Sequence, residues 1–308
     1  MLIVDKNCYV DDRIGAQGKK MKSFIKIVLL LIIPLNLYSQ EIIETPDVLD
    51  MFSDKTINKE YEPVTLLFDF SKKEMLSYNY SESNDSFSET SLSPGTTNQK
   101  NKSTSKLILN ILGNGYAEIE YKDIMSDSQV YFDISKDADP ISTNFGPRTI
   151  LYQYLSEDGK FLNNQTIEFR TKIMMPSSSM KIEADKIVEE EVIMPLNFNG
   201  SFLQIKGKLC IKGDGIYSIE NKQYLKIESR LELNSDNIPD VFKDQLELQI
   251  IAEGIYYYDM TEKSYYSGDI TITTSFYSKM NGFNPFGSEI SQKSNGTEHI
   301  KYKKIDND

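Results

Sequence analysis

An alternation of period two between residues 203 and 276 is the feature that most constrains the fold of this chain. In four successive segments, apolar residues occupy every second position and charged or polar residues lie between them. The apolar positions are Leu203, Ile205, Leu209, Ile211, Leu225, Ile227, Leu231, Leu233, Leu248, Ile250, Tyr256 and Tyr258. Because successive side chains of a strand point to opposite faces, the pattern predicts antiparallel strands that are buried on one face only.

The connections between these segments are short, with turns predicted at residues 213–215 and 259–263, so the four strands form a meander. We therefore predict a mainly β protein built on a large curved antiparallel sheet, half-barrel or barrel-like, with a few short covering helices. Met180 to Glu191 and Ser235 to Asp244 are the predicted amphipathic helices. A half-barrel with a helical plug, a closed barrel and a two-layer sandwich all fit this pattern.

The predicted domain organisation has a single folded unit. Residues 64–280 form one antiparallel β domain, in which the segment 81–105, rich in Ser, Thr and Asn, is interpreted as a mobile loop. Residues 41–63 are predicted to be an N-terminal helix and linker, and residues 281–308 a flexible C-terminal tail. Gly113-Asn114-Gly115 predicts a tight hairpin turn.

Residues 21–40 have the pattern of a secretory signal peptide. A basic start at Met21-Lys22 precedes an apolar stretch, and Ser39 offers a small residue for cleavage. The alternative is a membrane anchor, but Lys26, Pro34 and Asn36 interrupt the apolar stretch, and spanning a bilayer takes about 20 apolar residues. We expect an exported protein that is periplasmic, outer-membrane-associated or extracellular and has no stable transmembrane anchor when mature. Residues 1–20 are interpreted as a mis-annotated or vestigial extension.

The charge of the chain restricts its partners. The net charge is -12, and residues 1–40 contain more basic than acidic residues, so the mature part is more acidic still. Such a surface repels phosphate backbones, which disfavours nucleic-acid binding. Cys210 is the single cysteine after the predicted leader, so no internal disulfide is expected, and no histidine is predicted beside it to make it a nucleophile.

The sequence contains no recognisable catalytic signature. The densest carboxylate groups are Glu189-Glu190-Glu191, Asp236/Asp240/Asp244 and Asp137/Asp139, and their spacing matches no calcium loop. The chain has one histidine, His299, which we predict in the flexible tail, so no zinc site is expected. We predict no catalytic residue, no metal site and no cofactor, and a non-enzymatic protein.

Several segments carry a family resemblance. They are Leu66-Leu67-Phe68-Asp69-Phe70, Tyr78-Asn79-Tyr80, the hairpin at residues 113–115, Leu209 to Leu233, Gly254-Ile255-Tyr256-Tyr257-Tyr258-Asp259 and the leader end Tyr38-Ser39-Gln40. With these the chain resembles the lipoprotein-carrier half-barrels of bacterial envelopes and an uncharacterised group of secreted Bacteroidota proteins. It departs from the carriers after the proline, where Asp185-Lys186-Ile187 replaces a Gly-Asp-x-Trp element. The resemblance implies a ligand with acyl chains, held inside the sheet.

Three functions follow as expectations. In the first, the twelve alternating apolar residues line a hollow that binds a lipid or another apolar small molecule. In the second, the same residues close a packed core, and the chain is a structural or interaction module that meets an envelope protein. In the third, two carboxylates converge in a cleft of a hydrolase.

Overall fold

The computed structural model describes residues 52, 55–71, 74–91, 93–113, 115–132, 141–158, 160, 165–176, 178–198, 200–280 and 290–305. Within them the protein is mainly β, with a large antiparallel sheet and two short α-helices, as predicted. The leader at residues 21–40, the extension before it and Asp137/Asp139 lie outside the described residues. Of the predicted N-terminal helix and linker at residues 41–63, only residues 52 and 55–63 are described.

Most of the described elements are long strands, and few helices lie between them. In chain order they are β1 (Ile57–Asn58), β2 (Val64–Leu66), β3 (Met75–Thr90), β4 (Ser93–Ile111), β5 (Tyr116–Phe132), β6 (Ile141–Ser156), α1 (Gln165–Met174), β7 (Ser178–Ile182), β8 (Ile187–Phe198), β9 (Ser201–Ile219), β10 (Lys222–Asn234), a 3₁₀ turn (Ser235–Asn237), α2 (Asp240–Lys243), β11 (Leu246–Asp259), β12 (Ser264–Met280) and β13 (Ile290–Lys304).

Two meanders join into one open sheet. One runs from β8 to β13 and the other from β3 to β6, and the pairing of β13 with β3 connects them. The resulting order is β9-β10-β11-β12-β13-β3-β4-β5-β6, with β8 and the short β1 both on the free side of β9. In the described part of the chain no pairing joins β6 to β8, so the sheet is not closed. The predicted meander of four strands is confirmed as β9 to β12.

The predicted mobile loop at residues 81–105 is wrong. The segment forms the far halves of β3 and β4, which pair in continuous register from Met75↔Asn110 to Glu89↔Thr96. Ladder hydrogen bonds are made by the backbone, so a strand needs no apolar side chain as long as its neighbours pair with it. The polar composition of this segment describes its side chains and gives no information about its backbone.

The predicted flexible tail at residues 281–308 and the predicted helix at residues 180–191 are also wrong. Residues 290–304 form β13, which lies between β12 and β3, so the sheet extends beyond the predicted domain end at residue 280. Met180 to Glu191 contains the end of β7 and the start of β8. Pairing of β8 with the lysine-bearing outer positions of β9 overrides the helical preference of its three glutamates.

Two turns test the predicted connections. The hairpin at residues 113–115 is confirmed, with Gly113 and Gly115 at positive φ. The turn predicted at residues 213–215 is wrong, because these residues lie inside β9, where the register with β10 shifts. The chain reverses instead at Glu220 and Asn221, both at positive φ. The other predicted short helix is confirmed as the 3₁₀ turn and α2.

A β-bulge in β5 keeps the inner face continuous. Ala117 and Ile119 are buried on the inner side before the bulge, and Ile124 and Ser126 after it, so the inward positions change from odd to even. The extra residue is accommodated at Asp123, whose φ of 54° lies in the left-handed region that aspartate tolerates.

The inner side of the sheet, which we call the hollow, is covered by a plug. The plug consists of α1, the β2–β7 ribbon and the residues that adjoin them. Its buried apolar side chains, among them Phe68, Phe169 and Met175, belong to the same core cluster as the inner face of the sheet. A covering helix was predicted, but α1 is formed by residues that the sequence did not mark as helical.

The N-terminal segment packs on the opposite, convex face. Phe52 stacks on Tyr257 with ring centroids 3.7 Å apart, and Tyr224 and Tyr266 complete a buried aromatic cluster there. Lys59 pairs with Asp214 of β9 at 2.5 Å. The first residues described thus hold the outer surface of β9 to β12, while the plug fills the inner one.

Candidate binding hollow

All twelve predicted binding residues lie on the inner face of the sheet. Each is buried, and all belong to one core cluster: Leu203, Ile205, Leu209 and Ile211 from β9, Leu225, Ile227, Leu231 and Leu233 from β10, and Leu248, Ile250, Tyr256 and Tyr258 from β11. The geometry therefore brings them together as the alternation predicts. The binding role assigned to them remains a prediction.

Tyrosine hydroxyls fasten the plug to this face. Tyr256 donates a hydrogen bond to the carbonyl oxygen of Ile173 at 2.6 Å, and Tyr302 donates one to that of Met174 at 2.8 Å, both in buried surroundings. Ile173 and Met174 are at the C-terminal end of α1, where the last carbonyls of a helix lack partners within the helix. These carbonyls are buried away from solvent, so the tyrosine hydroxyls of the sheet provide the hydrogen-bond donors that this helix end needs.

Two further tyrosines hold the chain on either side. Tyr265 donates to the carbonyl oxygen of Pro176, and Tyr258 donates to that of Leu67 at 2.5 Å. Burial raises the pKa of Tyr265 and Tyr302 well above the usual value of a phenol, so both hydroxyls keep their protons and remain donors. The three tyrosines at residues 256–258 therefore face different sides of the sheet. Tyr257 faces outward, whereas Tyr256 and Tyr258 face inward and bind the plug.

Ion pairs attach α1 to both sides of the hollow. On one side Lys172 contacts Glu190 of β8. On the other, Arg170 Nη2 lies 2.8 Å from Glu82 Oε2 of β3 and 2.6 Å from Glu298 Oε1 of β13. The hydroxyl of Tyr80 donates to Glu82 at 2.7 Å. The helix therefore spans the hollow between β8 and the β13–β3 pair.

The Arg170 cluster is electrostatically coupled. The Glu82 and Glu298 side chains are 14% and 16% exposed, and that of Arg170 is 36% exposed. Burial opposes protonation of Arg170, yet Glu298 and Glu82 together raise its pKa well above the usual value. Burial raises the pKa of Glu298, and Arg170 opposes that rise. Two acids thus converge here, with the guanidinium between them, in a pattern that the sequence did not reveal.

The inner face changes character along the sheet. The β8–β12 half is lined by aliphatic and aromatic side chains, whereas the far halves of β3, β4 and β5 carry small polar ones. One row of cross-strand neighbours runs Glu298, Asn84, Asn101, Ser128 and Thr143 over β13, β3, β4, β5 and β6. Asn84 Oδ1, Asn101 Nδ2 and Ser128 Oγ are buried without a hydrogen-bond partner. We call Asn84, Asn101 and Ser128 the polar row.

Several carboxylates of the dense groups noted in the sequence form ion pairs on the protein surface. Glu189 and Glu191 face outward and pair with Lys208 and Lys206, all about half exposed. Such pairs contribute about 0–1 kcal/mol each. Asp240 pairs with Lys243 at an exposed turn. Among the described residues, no group of three or more His, Cys, Asp or Glu could hold a metal ion.

His299 and Cys210, the two single residues considered in the sequence, both lie on strands of the sheet. His299, predicted in a flexible tail, is an outward residue of β13, 3.1 Å from Thr271 Oγ1. Cys210 is a free, partly exposed thiol on β9, opposite Glu189 and Arg230 in the register. Met174 and Met175 are buried in the core.

The comparisons with known proteins identify no family. No family model matches the chain. No curated protein matches it. Among solved structures, one from Pseudomonas aeruginosa, OccK7 (OpdD), aligns with a TM-score of 0.23 and 5% identity over 76% of this chain and 99% of that chain. No helix in the described part of the chain is long and apolar enough to span a membrane.

Removing one plug hydrogen bond tests the tyrosine anchors. We expect Tyr302→Phe to lower the free energy of unfolding by about 1–3 kcal/mol, because the Met174 carbonyl then stays buried without its donor. Tyr277→Phe, on the outer side of β12, should change it by less than about 0.5 kcal/mol. The chain lacks Trp, so urea unfolding is best followed by circular dichroism. Equal effects of the two substitutions would refute the anchoring role.

Removing Arg170 should make stability depend on pH. In Arg170→Met, Glu298 loses its opposing cation while burial and Glu82 remain, so its pKa rises further. An acid whose folded pKa lies above its unfolded pKa destabilises the fold progressively as pH rises from the unfolded value to the folded value, and the loss disappears only below the unfolded pKa. We expect less than the ~3–5 kcal/mol of a fully buried pair, because Arg170 is 36% exposed.

The measurement is urea unfolding of this variant and the original chain between pH 4.5 and pH 8, about the range in which a raised Glu titrates. Adding Glu298→Gln to the variant should restore part of the stability at the upper end of this range. A deficit that is constant with pH would show that Arg170 acts through packing alone.

Proposed function

We propose that the chain is an exported, non-enzymatic β protein that binds an apolar or lipid-like ligand in the hollow of its sheet. The observation that carries the proposal is the two-part inner face, aliphatic and aromatic over β8 to β12 and polar over the far halves of β3 to β5. Small-molecule sites combine a mainly apolar lining with a few convergent polar groups. The predicted leader supports export.

The plug must move aside to admit a ligand. Its polar attachments include four tyrosine hydroxyls and the ion pairs of Arg170 and Lys172. Backbone hydrogen bonds from Phe68 N to the Glu157 carbonyl and from Asp69 N to the Lys263 carbonyl, both 3.0 Å long, add to them. A neutral hydrogen bond contributes about 0.5–1.5 kcal/mol net, and burial of an acyl chain gains about 0.8 kcal/mol per CH₂. A lipid chain of ordinary length can therefore replace the contacts that the plug makes with the apolar face.

The geometry of the sheet supports such movement. Its edge strands β6 and β8 are not joined within the described residues, so the curvature can change without breaking a ladder. The plug is connected to the sheet on both sides of each of its two segments, since β2 lies between β1 and β3 in the chain, and α1 and β7 lie between β6 and β8. Its movement is therefore a local displacement within these connections.

The alternative is a structural or interaction module with a filled interior. It is favoured by one observation: all twelve predicted binding residues already pack with the plug in a single core. In that case partners would meet the outer face, where ion pairs such as Lys206–Glu191 are exposed to solvent. For the hydrolase there is less support, because Arg170 holds the two converging acids.

Binding of the neutral fluorophore N-phenyl-1-naphthylamine distinguishes the first two functions. We expect saturable binding to the original chain, and about tenfold tighter binding to the double variant Tyr256→Phe/Tyr302→Phe, whose plug has lost two bonds. The control Tyr277→Phe should bind as the original chain does. Retained near-ultraviolet circular dichroism excludes binding to a partly unfolded form.

Native mass spectrometry after lipid extraction provides a second readout. Co-purification of a lipid with the original chain would support the carrier. A chain that contains no lipid, and binds the fluorophore neither before nor after the tyrosine substitutions, would be a module with a packed core.

A further inference from the structure

The polar row is the least expected part of the inner face. Asn84, Asn101 and Ser128 are direct cross-strand neighbours on β3, β4 and β5, and all three face the hollow. Asn101 and Ser128 are only 6% and 1% exposed. Side chains opposite each other in a sheet have Cβ atoms about 4.5–5.5 Å apart, so the three groups form one continuous patch.

The patch contains unused hydrogen-bonding capacity of both kinds. Asn84 Oδ1 is an acceptor, Asn101 Nδ2 is a donor and Ser128 Oγ can be either, and none of these atoms has a partner. The amide of Asn101 is oriented by Gln99, whose Nε2 donates to Asn101 Oδ1 at 3.2 Å. Each unsatisfied buried group is costly, and native proteins retain few of them. Three in adjacent positions indicate that something else completes them.

The charges around the row determine what can bind there. The register partner of Asn84 is Glu298, whose carboxylate would repel an anion. The acidic side chains described nearest the row, Glu298 and Glu82, both hold Arg170 and are not free to bind a cation. The group that fits is uncharged and has both donors and acceptors, as hydroxyl-rich and amide groups do.

The neighbouring apolar residues extend the site. Glu298 is paired on its other side with Ile272 of β12, and Ile270 and Ile300 are the next inward pair along the strands. From there the inner face is apolar across β11, β10 and β9. A single ligand could therefore place an uncharged head on the polar row and a chain along the apolar half.

We propose that Asn84, Asn101 and Ser128 bind the uncharged, hydroxyl- or amide-bearing head group of an amphipathic ligand. This inference rests on the proposed function, since the hollow must admit the ligand's chain. It adds the chemical class of the head group and the residues that select it.

Three single-chain amphiphiles with the same eight-carbon chain test the selection. They are octyl glucoside, nonanoate and octyltrimethylammonium, titrated calorimetrically into the full chain below their micelle concentrations. We expect octyl glucoside to bind about tenfold more tightly than either charged compound, a difference of about two hydrogen bonds.

The double variant Asn101→Leu/Ser128→Ala removes two unpartnered atoms, Asn101 Nδ2 and Ser128 Oγ, while nearly conserving volume. It should lose the tenfold preference. The melting temperature is measured on Ser128→Ala alone, and it should be unchanged or higher, because Ser128 Oγ has no partner to lose, whereas Asn101 Oδ1 accepts from Gln99. The matched control is Asn98→Leu, the same exchange at an exposed outward position of β4, which should keep the preference.

The outcomes separate this inference from the function on which it rests. If none of the amphiphiles binds, the proposed function fails and the head-group site with it. If all three bind equally, or the double variant keeps the preference, the head-group assignment is overturned and the hollow remains a binding site. A lower melting temperature of Ser128→Ala would show that internal water already satisfies the row, which also overturns the assignment.

Discussion

The hydrogen bonds from buried tyrosines to the C-terminal carbonyls of α1 are the interaction on which the rest of the structure depends. An antiparallel sheet with one apolar face must be covered, and covering it with a helix brings unpaired carbonyls into an environment without water. Tyr256 and Tyr302 satisfy Ile173 and Met174 from the sheet itself. The same residues thus provide apolar area for the core and donors for the plug, which is a combination that tyrosine offers and phenylalanine does not.

Attachment through side chains gives the hollow its functional potential. If the sheet were covered by another layer of strands, opening it would break ladder hydrogen bonds. Here α1 is held by tyrosine hydroxyls and by ion pairs to β8, β3 and β13. In the proposed function, opening the hollow would exchange these contacts for those of a ligand, and the polar halves of β3 to β5 would provide a place for a head group. On that proposal, fold stability and ligand access depend on the same few bonds.

The sequence predicted the parts of the fold in which hydrophobicity and strand period agree. The alternation from Leu203 to Tyr258 predicted the strands β9 to β11 and the inward direction of all twelve residues, because one face of each strand is apolar. It missed the second half of β3 and the first half of β4, within residues 81–105. There the inward side chains, such as Asn84 and Ser86, differ little in polarity from their outward neighbours. For β13 a signal was present: Ile300 and Tyr302 alternate with His299, Lys301 and Lys303. The Arg170 cluster could not be predicted, since it joins residues from three distant segments through tertiary structure alone.

Cysteine accessibility along β3 and β13 tests most directly that these polar segments are strands of the same two-faced sheet. Single cysteines would be placed in a Cys210→Ser background at residues 81–86 and 297–302, and their rates of modification by a polar maleimide compared. The account predicts an alternation of period two, with slow reaction at the inward even positions such as Ser86 and Ile300 and fast reaction at outward ones such as Asp85 and His299. Uniformly fast reaction across either segment would show a solvated chain there, and would contradict both the open two-part sheet and the polar row that depends on it.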